Sequence, residues 1–187
     1  AVTMINNIVK AYYTKAGTYT DNVDGTAIIK VSDVILKGVT ISGNLIIAEG
    51  VGKGDATLDN VTVKGETVVR GGGENSIHII GNSSITSIRI EKIGDKLRIV
   101  IAEGASVKEV EVAVGEELII TGTVGTLEVN ASNAVVYAIA AEITTATVNG
   151  DNSTIVVGAQ STINSVIISS SADNTAIKAE TGSVVKS

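Results

Sequence analysis

LKGVTISGNLII, residues 36–47, and LDNVTVKGETVV, residues 58–69, carry one pattern twice. Each opens with an apolar residue, two residues, an apolar residue, one residue and an apolar residue: Leu36-Val39-Ile41, then Leu58-Val61-Val63. A polar corner follows, SGN or KGE, and then a second short run, Leu45-Ile46-Ile47 or Thr67-Val68-Val69. Gly, Asn and Ser suit such corners, because they tolerate left-handed backbone or bond their own backbone. In a strand, successive side chains point to opposite faces, so the apolar members share one side and Thr40 and Thr62 take the other.

The motif continues as Ile85-Ile88-Ile90, Val107-Val110-Val112, Val124-Leu127-Val129, Ile143-Ala146-Val148 and Ile163-Val166-Ile168, with a decayed copy at Thr181-Val184-Lys186. From Val39 to Val184 its middle residues are spaced by 22, 27, 22, 17, 19, 20 and 18. One match means little in a chain with 26 Ile and 26 Val, but seven in series mark a repeat. Strands this short bury a face only by stacking, coil upon coil, about 4.8 Å apart. The apolar positions then form inward ladders, and Thr40, Thr62, Arg89, Glu111, Glu128, Thr147 and Ile167 form an outward one. The expected fold is therefore all-β: a single-stranded right-handed parallel β-helix, or solenoid, of about seven to eight coils, roughly 35 Å long. Residues 26–187 are assigned to the solenoid, and residues 1–25 to an N-terminal cap or a segment donated to another subunit. The rival, an antiparallel sandwich, needs tight two-residue hairpins. Asn149-Gly150 and Asp24-Gly25 are the only dipeptides of that kind.

Composition agrees with thin, repetitive layers. Against those β-branched residues stand 6 Leu, no Phe, Trp, Pro or Cys, and a single Met. The net charge of −6 argues against a nucleic-acid partner, which needs clustered Lys and Arg. No apolar run is long enough to make a membrane span. Ala1-Val2-Thr3 is what a small-residue cleavage site leaves behind, so export is the expectation.

Residues 38–79, GVTISGNLIIAEGVGKGDATLDNVTVKGETVVRGGGENSIHI, resemble β-helical repeat segments of surface-layer-associated proteins of Gram-positive bacteria. They are also similar to the β-helix of the tapirins, which bind cellulose at the cell surface. The likeness is sharpest over residues 33–112. It implies an exported, extracellular or cell-surface β-helix, and a cell-wall or plant polysaccharide as a partner. It carries over no catalytic residue.

Gly71-Gly72-Gly73 and the glycines of residues 50–54 could be phosphate loops, but a strand follows each where a phosphate loop needs a helix N-terminus. They read as corners. The loop around Gly71 lies in the longest interval, 27 residues from Val61 to Ile88, and is expected to protrude and offer a lateral contact. His78 is the only histidine, and with no Cys it supplies no usual metal-ligand set. Asp55, Asp59, Glu66, Arg70 and Glu74 are the nearest thing to the acid-and-base cluster of a polysaccharide lyase, yet they fall in corners where solubility alone would place them. Neither an enzyme, nor a cofactor, nor a metal site is expected. Tyr12, Tyr13 and Tyr19 cluster near the N-terminus and could stack on sugar rings or cover the first coil; Tyr137 stands apart.

An open solenoid end is a row of unpaired backbone over an exposed core. Val2, Met4, Ile5, Ile8, Val9, Tyr12 and Tyr13 at one end, with Ile177, Val184 and Val185 at the other, are the expected assembly surface. Only six charged side chains in residues 130–187 favour close packing there. The leading expectation is thus a structural protein, polymerising head to tail into a filament or rigid surface fibre. A polysaccharide-binding module and a polysaccharide lyase are the alternatives.

Overall fold

The computed structural model describes residues 7–186. Its strands are β1 (Val9–Tyr13), β2 (Gly17–Tyr19), β3 (Thr26–Ile29), β4 (Val34–Lys37), β5 (Thr40–Ile41) and β6 (Leu45–Ile47). Then come β7 (Ala56–Asp59), β8 (Thr62–Val69), β9 (His78–Ile80), β10 (Ser84–Ile90), β11 (Leu97–Ile101) and β12 (Ser106–Val112). The last are β13 (Glu117–Val129), β14 (Val135–Val148), β15 (Thr154–Val157), β16 (Thr162–Ile168), β17 (Ala176–Ala179) and β18 (Val184–Val185). One 3-10 turn, Glu49–Val51, is the only helical element among the described residues.

All the pairings are parallel, and they sort into three ladders, which we call faces A, B and C. Face A runs from β1 through β3 and β6 to the second halves of β8, β10, β12, β13, β14 and β16. Face B runs β2, β4, β7, β9, β11, the start of β13, the start of β14, β15 and β17. Face C begins at the Val23 bridge to Ile41 and ends at β18. Each coil visits A, B and C in turn, giving a β-solenoid of about nine coils, roughly 40 Å from end to end. The coil beyond the expected seven to eight comes from the N-terminal segment: β1 and β2 pair with β3 and β4, so residues 9–23 form a coil of the rod.

Along face A the steps are 16 residues from Tyr13 to Ile29, 18 to Ile47, 22 to Val69, 21 to Ile90, 22 to Val112, 17 to Val129, 19 to Val148 and 20 to Ile168. The 27-residue interval expected from the sequence is absent. Ile85 lies beside Val63 on face C, and Ile88–Ile90 lie beside Thr67–Val69 on face A. The apolar motif occurs at two corners: Leu58-Val61-Val63 turns from B to C, whereas Ile85-Ile88-Ile90 turns from C to A. Reading the second as a copy of the first slips the register by one face.

The core is a set of aliphatic columns. Ile29, Ile47, Val69, Ile90, Val112, Val129 and Val148 are all between 0% and 3% exposed on face A, and similar columns fill faces B and C. Thr67 breaks one of them. It sits between Leu45 and Ile88, fully buried, with its hydroxyl unpartnered. A buried hydroxyl without a hydrogen bond costs stability that a methyl does not. Thr67→Val is expected to raise stability by about 1 kcal/mol, read from the urea midpoint at unchanged slope; a fall would mean that the hydroxyl is satisfied.

Buried serines close the corners. Ser83 Oγ accepts from Val61 N at 3.0 Å and lies 2.7 Å from Ile80 O, to which it donates. Ser153 Oγ accepts from Ala134 N and donates to Ala131 O, at 3.1 and 2.9 Å. Ser161 Oγ accepts from Ala141 N and donates to Ala138 O, also at 3.1 and 2.9 Å. Each hydroxyl links two coils where the strand ladder is interrupted.

Candidate functional site

The two ends of the rod differ from its middle. On the last coil the inward columns come to the surface: Ile168 is 46% exposed and Val185 38%, while Ile177 is half-buried. Ile167 and Val184 beside them are exposed as well. At the first coil Tyr13 is buried, and its ring lies 4.6 Å from that of Tyr19, whose hydroxyl donates to Lys15 O. Burial, with Asp21 and Tyr19 adding to it, pushes the Tyr13 hydroxyl above its ordinary pKa. These two rings, with Lys10, Ala11, Val23 and Asp24, line a hollow of about 440 Å³ over the end of the core. Ile8 and Tyr12 are exposed and Val9 half-buried. Val2, Met4 and Ile5 lie outside the described residues. The tyrosine cluster is therefore split: Tyr13 and Tyr19 cover the first coil, and Tyr12 alone faces out.

The acid-and-base cluster does not converge. Asp55 and Asp59 flank face B, where Asp59 pairs with Lys37 at 3.3 Å; Glu66 and Arg70 lie on face A, and Glu74 is exposed at a corner. His78 Nε2 is 2.7 Å from Asn75 O and 3.9 Å from Asp55 Oδ2. The nearby Ser76 hydroxyl is buried and turned onto Gly73, accepting from its N–H and donating to its carbonyl, so it offers no nucleophile to that imidazole. Among the described residues, no group of three or more His, Cys, Asp or Glu side chains could hold a metal ion. No helix among them is long and apolar enough to cross a membrane.

The triple glycine does not protrude. Gly71, Gly72 and Gly73 are buried against the corner of the coil below, where Gly72 N donates to Gly52 O at 2.7 Å. A Cβ on Gly71 would lie 2.3 Å from Ala48 O, and Gly72 has φ +116°. Close approach of two backbones dictates these glycines. Beyond the packed glycines, Glu74 and Asn75 of the same corner reach solvent; the slipped register overstated the repeat interval, not the corner.

Outside face A, a polar network climbs the rod. Arg70 Nε and Arg89 Nε each donate to Glu91 at 2.9 Å, Arg89 Nη1 reaches Glu111 at 2.6 Å, and Asn130 Nδ2 donates to Glu111 at 3.0 Å. Hydrogen bonds from Arg70 first, then Arg89, hold the Glu91 carboxyl below its ordinary pKa. A depressed carboxyl stabilises the fold above its unfolded pKa, and the gain is lost as pH falls through the folded value. Because Glu91 and Arg70 are 30% and 41% exposed, screening limits the gain to about 0.5–1 kcal/mol. Glu91→Gln is expected to cost that amount at neutral pH and almost nothing near about pH 2. Urea melts at both pH values check this; an equal deficit at each would show that charge plays no part.

Fold and surface together define a parallel β-solenoid whose last coil brings its inward aliphatic columns to the surface. Compared with family models, curated proteins and solved structures, the chain matches none.

Proposed function

We propose that this chain is a structural element, not an enzyme. Its β-solenoid stacks end to end with further copies into an extracellular filament or a rigid cell-surface spacer. One observation carries the reading: inward columns that are sealed through the middle coils emerge at Ile168, Ile177 and Val185 beside unpaired strand edges. Another parallel coil is what satisfies both the backbone and the apolar side chains of such an edge. The hollow framed by Tyr13 and Tyr19, with Lys10, Asp21, Asn22 and Asp24 around them, is the recess on the first coil that the last coil of the next copy would meet. A head-to-tail contact of this type does not close on itself and so propagates. The extracellular location rests on the resemblance of residues 38–79 to surface-layer-associated repeats.

Light scattering against concentration, with electron microscopy of the same samples, tests this. Mass is expected to grow without a plateau, and Ile168→Asp with Val185→Asp is expected to stop the growth. A stable single chain at the highest soluble concentration would sink the reading. The polysaccharide-binding alternative needs the three tyrosines as one platform, and the lyase needs its acids and Arg70 on one face; neither arrangement is present.

A further inference from the structure

The outward column of face A holds an unexpected stripe. Tyr12, Ile28, Ile46 and Val68 occupy successive coils in register, and only then does the column become Arg89, Glu111, Glu128 and Thr147. These are positions that the two-residue alternation turns away from the core, where polar side chains belong. Tyr12 is 57% exposed, Ile28 and Ile46 are half-buried, and Val68 is 8% exposed. The stripe spans three coil steps, roughly 14 Å along the rod.

Its flank is charged in a particular order. On the side toward face C, Lys10 stands beside the stripe in coil 1 and Glu66 beside it in coil 4. Lys10 is exposed and closes no ion pair among the described residues; Glu66 is half-buried and neither accepts a hydrogen bond on its carboxylate nor closes an ion pair there. Burial, opposed by Arg89 and reinforced by three neighbouring glutamates, raises the Glu66 pKa. The carboxylate is poorly provided for within its own chain. Lys10 and Glu66 are three coils apart, too far to meet.

A second copy resolves this. Two identical faces brought together about a twofold axis parallel to the strands, between coils 2 and 3, oppose coil 1 to coil 4 and coil 2 to coil 3. We propose that the outer surface of face A over coils 1–4 is a self-association surface, taking an antiparallel second copy in which Tyr12 meets the partner's Val68, Ile28 meets the partner's Ile46 and Lys10 meets the partner's Glu66. The contact is isologous, so each pairing occurs twice and the complex closes at two chains. Lys30, whose Nζ lies 5.1 Å from the centre of the Tyr12 ring, already holds that ring by a cation–π contact. The surface shares Lys10 and Tyr12 with the first coil and touches nothing of the last coil.

Sedimentation equilibrium on the 187-residue chain carrying Ile168→Asp and Val185→Asp, the pair expected to stop end growth, tests it. A species of exactly two chains' mass is expected. Ile46→Arg should abolish it, with circular dichroism checking that the strands persist. Lys10→Glu should weaken it about a hundredfold, because like charges then meet twice. Lys10→Glu combined with Glu66→Lys should restore it, which no intrachain effect can do across three coils. A single-chain mass for the parent, an unchanged mass with Ile46→Arg, or no recovery in the charge swap would each overturn the proposal. End growth is read separately, as mass rising without a plateau in the chain lacking those two substitutions, so failure of one contact is distinguishable from failure of the other.

Discussion

Gly122→Ala is expected to destabilise the rod by about 4 kcal/mol or more. Gly122 lies in β13 between faces B and C, where the pairing with β14 shifts register. Its φ is +96°, a region L side chains rarely enter, and a Cβ would stand 2.0 Å from Ile101 O and 2.8 Å from its carbonyl carbon. Those atoms belong to the coil below and cannot swing aside as a side chain could. The methyl would wedge coils 5 and 6 apart on the side where Ile99 and Ile120 pack. Each coil of a solenoid touches only its neighbours, so the break should be local. Hydrogen exchange is expected to show accelerated exchange in residues 97–124, while the coils holding Leu36 and Leu58 stay protected. A loss below about 1 kcal/mol would mean that the corner is far more compliant than its geometry implies.

The second large effect is expected at Ser161. This side chain is 1% exposed and links Ala141 N and Ala138 O of the coil below. Ser161→Ala orphans the buried Ala141 N–H, at a desolvation cost of about 1–3 kcal/mol, while Ala138 O keeps the N–H of Gly158 at 2.8 Å. A loss of about 2 kcal/mol is expected after partial relaxation, seen in urea melts as an early transition of the C-terminal coils. Ser153→Ala should behave alike one corner away, and Ser183→Ala, at an exposed hydroxyl that bonds Glu180 O within its own coil, should be nearly silent. Equal effects at Ser161 and Ser183 would show that bridging between coils is not what matters.

The solenoid itself was legible because its signal is repeated: parallel stacking demands the same apolar spacing in every coil, and residues 36–47 and 58–69 state it outright. What escaped was which corner a given copy turns. Val61-Val63 and Ile88-Ile90 look alike as text, yet one belongs to face C and the other to face A. Nothing local in the chain separates them, since both corners need an apolar residue pointing in on either side. Only the pairing of Ile85 with Val63 does so. The slip had a consequence for the surface. It placed Thr40 and Thr62 above Arg89, and so hid the column that in fact runs Tyr12, Ile28, Ile46, Val68. The buried serines had a faint signal. Asn152-Ser153-Thr154 and Gln160-Ser161-Thr162 place Ser after a residue with φ of +54° or +63°, a combination that turns the hydroxyl inward. The first coil was missed because Val9–Tyr13 carries aromatic rings where later coils carry aliphatic residues.

The uneven steps along face A have a mechanical meaning. Coils of 16 and of 22 residues occupy the same height, since height is fixed by the backbone ladder and not by the residue count. The extra residues go sideways, chiefly at the corner between faces A and B, where residues 48–55, 70–77 and 91–96 pile into a ridge tied by Lys53 to Asp95 at 3.1 Å. Girth and length are thus set by separate parts of the gene. A lineage, or an engineer, can lengthen this ridge or graft a peptide onto it without changing the reach of the rod. Reach changes only in whole increments, one coil at a time, like links added to a chain.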